Sequence, residues 1–274
     1  MRGEFLDLGG VRLYYYASGP RSDAAPPVAL IHGFATSAHL WGEVAPLLAR
    51  THRVVVLDLL GHGRSDGAGS RPGTIAAHAD RVTALLDALQ VPRACVVGHE
   101  IGAGVALHLA LHTPERLSHL ALVCPAVDDS WPSMPLRALR ALGPFARRLP
   151  AGWLRGVIRR EWRHGYSRPD RGNRSTDLYM RPFERADGHH AVLAHLAELD
   201  PASCGAEPDR FRTISAPTAV IWGEADRSVR PAAAAELAAR IPAATSHPLT
   251  DARHFAPEEV PEQVAAILEE LLRR

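Results

Sequence analysis

A carboxylate stands where a strand-like run gives way to a helix-like one. The segment Val97-Gly98-His99-Glu100-Ile101-Gly102-Ala103-Gly104 continues the apolar run that begins at Ala94 and opens a helical stretch from about Ile101 to His112. Small residues two before and two after Glu100 suit a sharp strand-to-helix turn with a strained apex, the arrangement of a nucleophile elbow. The N–H of Ile101, at a helix N-terminus, then points into the site and can stabilise a developing oxyanion. A carboxylate at the apex cannot be activated as a serine hydroxyl is, by giving a proton to a histidine. Ordinary serine-esterase chemistry is therefore not expected.

The elements that must hold this turn are legible as buried runs. Val28–Ile31, Val54–Leu57, Ala94–Val97 and Leu120–Val123 are continuous rather than alternating, and helical segments separate them. That pattern predicts an α/β fold with a mostly parallel sheet covered on both faces. Before them, Phe5–Leu8 and Val11–Tyr15 flank a Gly-Gly turn and read as a hairpin. Helices are expected over His39–Arg50 and from a Thr74 cap to Gln90. From about Ala126 to Pro208 the rhythm breaks into proline-rich, basic, helix-like pieces. It resumes with a strand at Thr218–Ile221, a helix at 232–240, a strand near 245–249 and a last helix from Pro261. The expected organisation is a core of 1–125 and 209–274 interrupted by a helical insertion, 126–208.

With these elements in place the chain resembles the α/β-hydrolase superfamily over nearly its whole length. The resemblance rests on His32-Gly33-Phe34, on Asp58-Leu59-Leu60-Gly61-His62-Gly63-Arg64-Ser65, on the elbow at 98–102, and on Trp222-Gly223-Glu224-Ala225-Asp226 and Asp251-Ala252-Arg253-His254-Phe255. The order nucleophile, acid, histidine is the order this family uses. The resemblance implies Asp226 as the triad acid, His254 as the base, Phe34 and Ile101 as oxyanion-hole donors, and the insertion as a lid. At the apex, where serine is usual and epoxide hydrolases and haloalkane dehalogenases carry aspartate, this chain has Glu100.

Three readings follow. Glu100 is a nucleophile that opens an epoxide or displaces a leaving group at saturated carbon, with His254 activating the water that cleaves the resulting ester. Alternatively it is a general acid or base in a lyase, cyclase or dehydratase. In the third, the site is inactive and the fold binds a ligand. The first leads, with epoxides as the expected substrates. Related epoxide hydrolases use tyrosines of the lid on the leaving oxygen, which makes Tyr166 and Tyr179 candidates. His32, Trp41 and Phe255 complete the expected substrate contacts, His32 reading equally as a support for the loop that carries Phe34. Dehalogenation ranks lower, because those enzymes place tryptophan where Ile101 stands.

Composition narrows the rest. All 31 basic residues are arginine, which excludes lysine Schiff-base chemistry and lysine-bound pyridoxal phosphate, and no cofactor is expected. His108 and His112 have helical ligand spacing without an accompanying acid, and Cys95, Cys124 and Cys204 are scattered, so no metal site is expected. The net charge of +1 conceals a segment, Trp131–Arg185, with 13 arginines against four acids. Such a surface can draw an anionic substrate, dock an acidic partner, lie on a membrane surface, or only solvate the outer faces of amphipathic helices, while no nucleic-acid-binding module is present. No run reaches the roughly 18 apolar residues of a membrane span, and the N-terminus lacks a signal-like apolar core, so the expected location is the cytoplasm.

Overall fold

The computed structural model describes residues 3–22, 25–67, 73–127, 131–181, 188–198 and 208–274. Strands β1 (Glu4–Asp7) and β2 (Arg12–Ser18) form the expected antiparallel hairpin, and β2 lies antiparallel to β4 (Val54–Leu57). Beyond β4 every pairing is parallel, through β3 (Val28–Ile31), β5 (Ala94–His99), β6 (Leu117–Val123), β7 (Thr218–Gly223) and β8 (Ala244–Leu249). The sheet order is β1-β2-β4-β3-β5-β6-β7-β8. Every residue of β3, β4, β5 and β7 is buried, which is why their sequences are unbroken apolar runs. The chain leaves β3 toward β4 on one side and returns to β5 on the other. The crevice beyond the carboxyl ends of β3 and β5 is thus a topological switch point, where α/β sheets bind ligands.

Helices cover the sheet. They are α1 (Val44–Leu48), α2 (Ile75–Ala88) and α3 (Ile101–His112), then after the insertion α8 (Pro231–Arg240), α9 (Ala256–Glu259) and α10 (Pro261–Leu271). Thr74 caps α2, its hydroxyl accepting from Ala77 N–H at 3.2 Å. The expected helix over 39–50 is instead a 3-10 turn at Ala38–Trp41 followed by α1. Gly42 closes that turn on His39 C=O, and the chain re-enters helix only at Val44. Between β6 and β7 lie α4 (Met134–Ala141), α5 (Ala151–His164), α6 (Pro169–Tyr179) and α7 (Gly188–Glu198), with no strand among the described residues. Parts of the expected insertion, 128–130, 182–187 and 199–207, lie outside the described residues, as does Cys204. No helix is long and apolar enough to cross a membrane.

Helix α7 is seated on the core by histidines. The buried His195 ring stands 4.8 Å from His62 and 5.7 Å from His78, and His32 is 5.3 Å from His62. Gly61 (φ +79°) makes room, because a Cβ there would fall 1.8 Å from His195 Nε2. Neither ring nitrogen of His78 or His195 has a hydrogen-bond partner among the described residues. Burial, reinforced by the neighbouring rings, holds His32, His78 and His195 well below the ordinary histidine value, with Arg81 pushing His78 and His195 the same way. Burial likewise brings His62 down to about 4. These rings are neutral in the folded chain, whereas in the unfolded chain they titrate near 6.5. The unfolded state therefore takes up more protons as pH falls below 6.5, and stability is lost progressively down to about pH 4. At about 1.4 kcal/mol per pKa unit, His62 alone contributes on the order of 3 kcal/mol. Urea unfolding at pH 7.5 and pH 5 should show this loss, and His195→Leu should flatten it. An unchanged slope in that variant would show that the cluster does not set the acid sensitivity.

Candidate active site

Glu100 occupies the turn between β5 and α3 at φ 53°, ψ −113°, a left-handed conformation that a side chain adopts only when its surroundings enforce it. The flanking glycines are what allow the turn. A Cβ on Gly98 would lie 2.0 Å from Gly102 C=O, and one on Gly102 would lie 2.5 Å from His32 C=O. The side chain reaches back over Gly33, whose missing Cβ would stand 2.5 Å from Glu100 Oε2.

That carboxylate sits in a cradle of N–H donors. Phe34 N–H donates to Oε2 at 2.5 Å, and the indole Nε1–H of Trp131 donates to Oε1. Burial pushes the Glu100 carboxyl above its ordinary value; His254 and the N–H groups of Phe34, Trp131 and Ile101 work against that rise. His254 approaches from the loop after β8. Its Nδ1–H donates to Asp226 Oδ2 at 2.9 Å, and the Asp226 Oδ1 is fixed by Ser228 N–H at 2.7 Å and Val229 N–H at 3.2 Å. Burial opposes charge on both members of this pair. Their mutual attraction and hydrogen bonds prevail, so Asp226 is lowered and His254, facing Glu100 as well, is raised. His254 thus stands between two acids, hydrogen-bonded to Asp226 and drawn electrostatically to Glu100.

Glu100, His254, Phe34, Trp131, Trp162 and Phe255 share a cavity of about 30 Å³. That is room for one water rather than an organic substrate. Phe255 is where the sequence reading expects it; four other expected contacts do not line this cavity. Tyr166 and Tyr179 are buried with their hydroxyls donating to Glu258, the first at 3.1 Å. Ser175 also donates to Glu258, whose carboxyl burial raises to about 7 against these hydrogen bonds. The tyrosines are thus committed to a second acid and hold the insertion to the His254 loop. His254 and Phe255 N–H groups complete that junction on Gly165 C=O. His32 accepts from Leu59 N–H at 2.9 Å through Nε2 and supports the Phe34 loop. Trp41 is fully buried in the 3-10 turn that ends at that residue.

Trp131 and Glu258 are the contributors that sequence reasoning missed. Trp131 lies beyond β6, which ends at Val123, and nothing in its spacing distinguishes a hydrogen-bond donor from a packing residue. His99, Cys124 and His254 bring ligand-type atoms within 4.8 Å of one another. Burial raises the Cys124 thiol well above its ordinary value, and His99 Nε2 is bound to His254 C=O at 2.9 Å. A thiolate ligand is disfavoured there.

Comparison with known proteins bears on the fold and the family. The chain is 26% identical to the uncharacterized hydrolase YugF of Bacillus subtilis, across 97% of this chain and 96% of that protein. It is 30% identical to a pimeloyl-[acyl-carrier protein] methyl ester esterase of Aeromonas hydrophila, across 91% and 96%. The solved structure of an α/β hydrolase fold protein from Burkholderia ambifaria superposes with a TM-score of 0.86 at 26% identity, over 98% of this chain and 100% of that one. The α/β hydrolase fold family matches residues 26–261, and the chain is a hydrolase-fold protein belonging to that family.

Proposed function

We propose that this chain hydrolyses a small organic epoxide through a covalent ester on Glu100, with the helical insertion as a lid. The observation that carries the reading is the Glu100 carboxylate itself, with one oxygen in the N–H cradle and the His254–Asp226 pair on the same cavity. The lid opens to admit substrate, and Oε1 exchanges its bond to Trp131 for attack on an epoxide carbon. The C–O bond breaks, and the ring oxygen takes the proton of the His254 imidazolium. That proton source replaces the tyrosines, which are occupied by Glu258. Alkylation also removes the charge on Glu100 that favours the imidazolium. His254 is then a neutral base, oriented by Asp226, and takes a proton from water attacking the ester carbonyl. The oxyanion forms where Phe34 and Ile101 N–H groups converge. Collapse expels the diol with the proton from His254, and the regenerated carboxylic acid returns its proton to the imidazole.

Single turnover in 18O-labelled water tests this. The first-turnover diol should carry no label, and the label should appear in the Glu100 carboxyl. Label in the first diol would overturn covalent catalysis. A second reading rests on the raised Glu100 carboxyl: a general acid or base in a non-hydrolytic reaction, which would place no solvent oxygen in product or enzyme.

A further inference from the structure

The exposed positions of the insertion combine two features that soluble surfaces usually keep apart. Five large hydrophobic side chains are exposed among the described residues, and four of them, Met134, Leu142, Phe145 and Trp153, fall between positions 134 and 153. Their exposures run from 44% to 75%. From Met134 to Arg160 the chain carries seven arginines and no acid. The segment folds as α4, a 3-10 turn at Gly143–Arg148, and α5. Its inner positions are already used: Leu136 and Leu139 of α4 and Leu154, Ile158 and Trp162 of α5 are buried. The outward apolar residues are therefore surplus to the fold.

We propose that this face docks on the surface of an anionic lipid bilayer. Basic amphipathic elements with tryptophan, phenylalanine and leucine among arginines lie in the interface, apolar groups inserted and guanidinium groups at the headgroups. The side chains match that geometry. The Arg148 guanidinium lies over the exposed Phe145 ring, its central carbon 5.0 Å from the ring centroid, so cationic and apolar groups share this surface. Arg140, Arg147, Arg155 and Arg160 are exposed around the same elements. Arg159 pairs with Asp177 at 2.7 Å and is not counted. An acidic protein would satisfy the arginines, but it gives no reason for four scattered large apolar groups without a groove; a bilayer satisfies both. The inner faces of the same two helices bring Leu136 and Trp162 to the Glu100 cavity. Docking therefore sets the roof of the site against the phase where apolar molecules dissolve. The inference holds whichever chemistry Glu100 performs.

Co-sedimentation of the full chain with vesicles tests it. Vesicles of phosphatidylcholine mixed with phosphatidylglycerol should bind the chain about tenfold or more tightly than phosphatidylcholine alone, with the difference shrinking as salt is raised. Phe145→Ser with Trp153→Ser should weaken binding to the anionic vesicles about tenfold or more, with an unchanged Tm. Replacing Arg140, Arg147, Arg155 and Arg160 by glutamine should remove the preference for anionic lipid. Three results would overturn the proposal: no binding to anionic vesicles, binding unaffected by either set of substitutions, or binding to polyglutamate but not to vesicles.

Discussion

Glu100→Gln should abolish turnover, lowering kcat by about 10⁴-fold or more while the protein folds normally. Glutamine is the same length, and its amide oxygen can accept from Phe34 N–H as Oε2 does now, while its NH2 group gives up the bond from the Trp131 indole N–H. An amide is not a carboxylate nucleophile, and it cannot serve as a general base, so both catalytic readings lose their central group. The substitution also has a spectroscopic signature. His254 is raised by Asp226 and, in addition, by Glu100. Removing the second charge should lower the His254 titration in an NMR pH series while its bond to Asp226 persists. Retained turnover would remove Glu100 from the chemistry. Retained ligand affinity with no turnover in either form would favour the binding-protein reading.

Glu100→Ser should raise the hydrolysis of simple esters. Phe34 N–H now donates to the carboxylate, so an ester carbonyl oxygen cannot enter the hole. Serine at the apex vacates the hole, and the backbone at φ 53° already presents the apex side chain at the turn. With Glu100 gone, His254 loses one of the charges that raise it and becomes a readier base. The Nδ1–Asp226 bond of 2.9 Å orients it. Hydrolysis of a p-nitrophenyl ester should rise from background, and His254→Gln in the serine background should lower it again by about 10²–10⁴-fold. A single oxyanion donor is worth about 10²–10³ in rate, so freeing the hole matters as much as supplying the hydroxyl. A serine variant as inert as the natural chain would show that these elements do not form a working triad.

Local chemistry made much of the fold legible. The runs at 28–31, 54–57 and 94–97 could only be buried strands, because a sheet covered on both faces leaves no solvent side to alternate toward. Thr74 announced α2 because a helix start needs an acceptor for its free N–H groups. The elbow was readable from Gly98 and Gly102, whose side chains have no room. The helix expected over 39–50 failed at Gly42, because hydrophobic period alone does not locate a break within a helical stretch.

By itself, the sequence determined that a carboxylate replaces the hydroxyl at a strained turn, and that lysine chemistry is unavailable. Those are facts of covalent identity and spacing, and they survive any packing. Tertiary structure alone decided what surrounds the carboxylate. It hydrogen-bonded Glu100 to Phe34 N–H and the Trp131 indole, turned Tyr166 and Tyr179 to Glu258, and left a cavity the size of a water. Each of these contacts joins residues separated by 31 to 92 positions along the chain. Hydrogen-bond partners at such separations are chosen by how the insertion settles on the sheet, and no local periodicity encodes that choice.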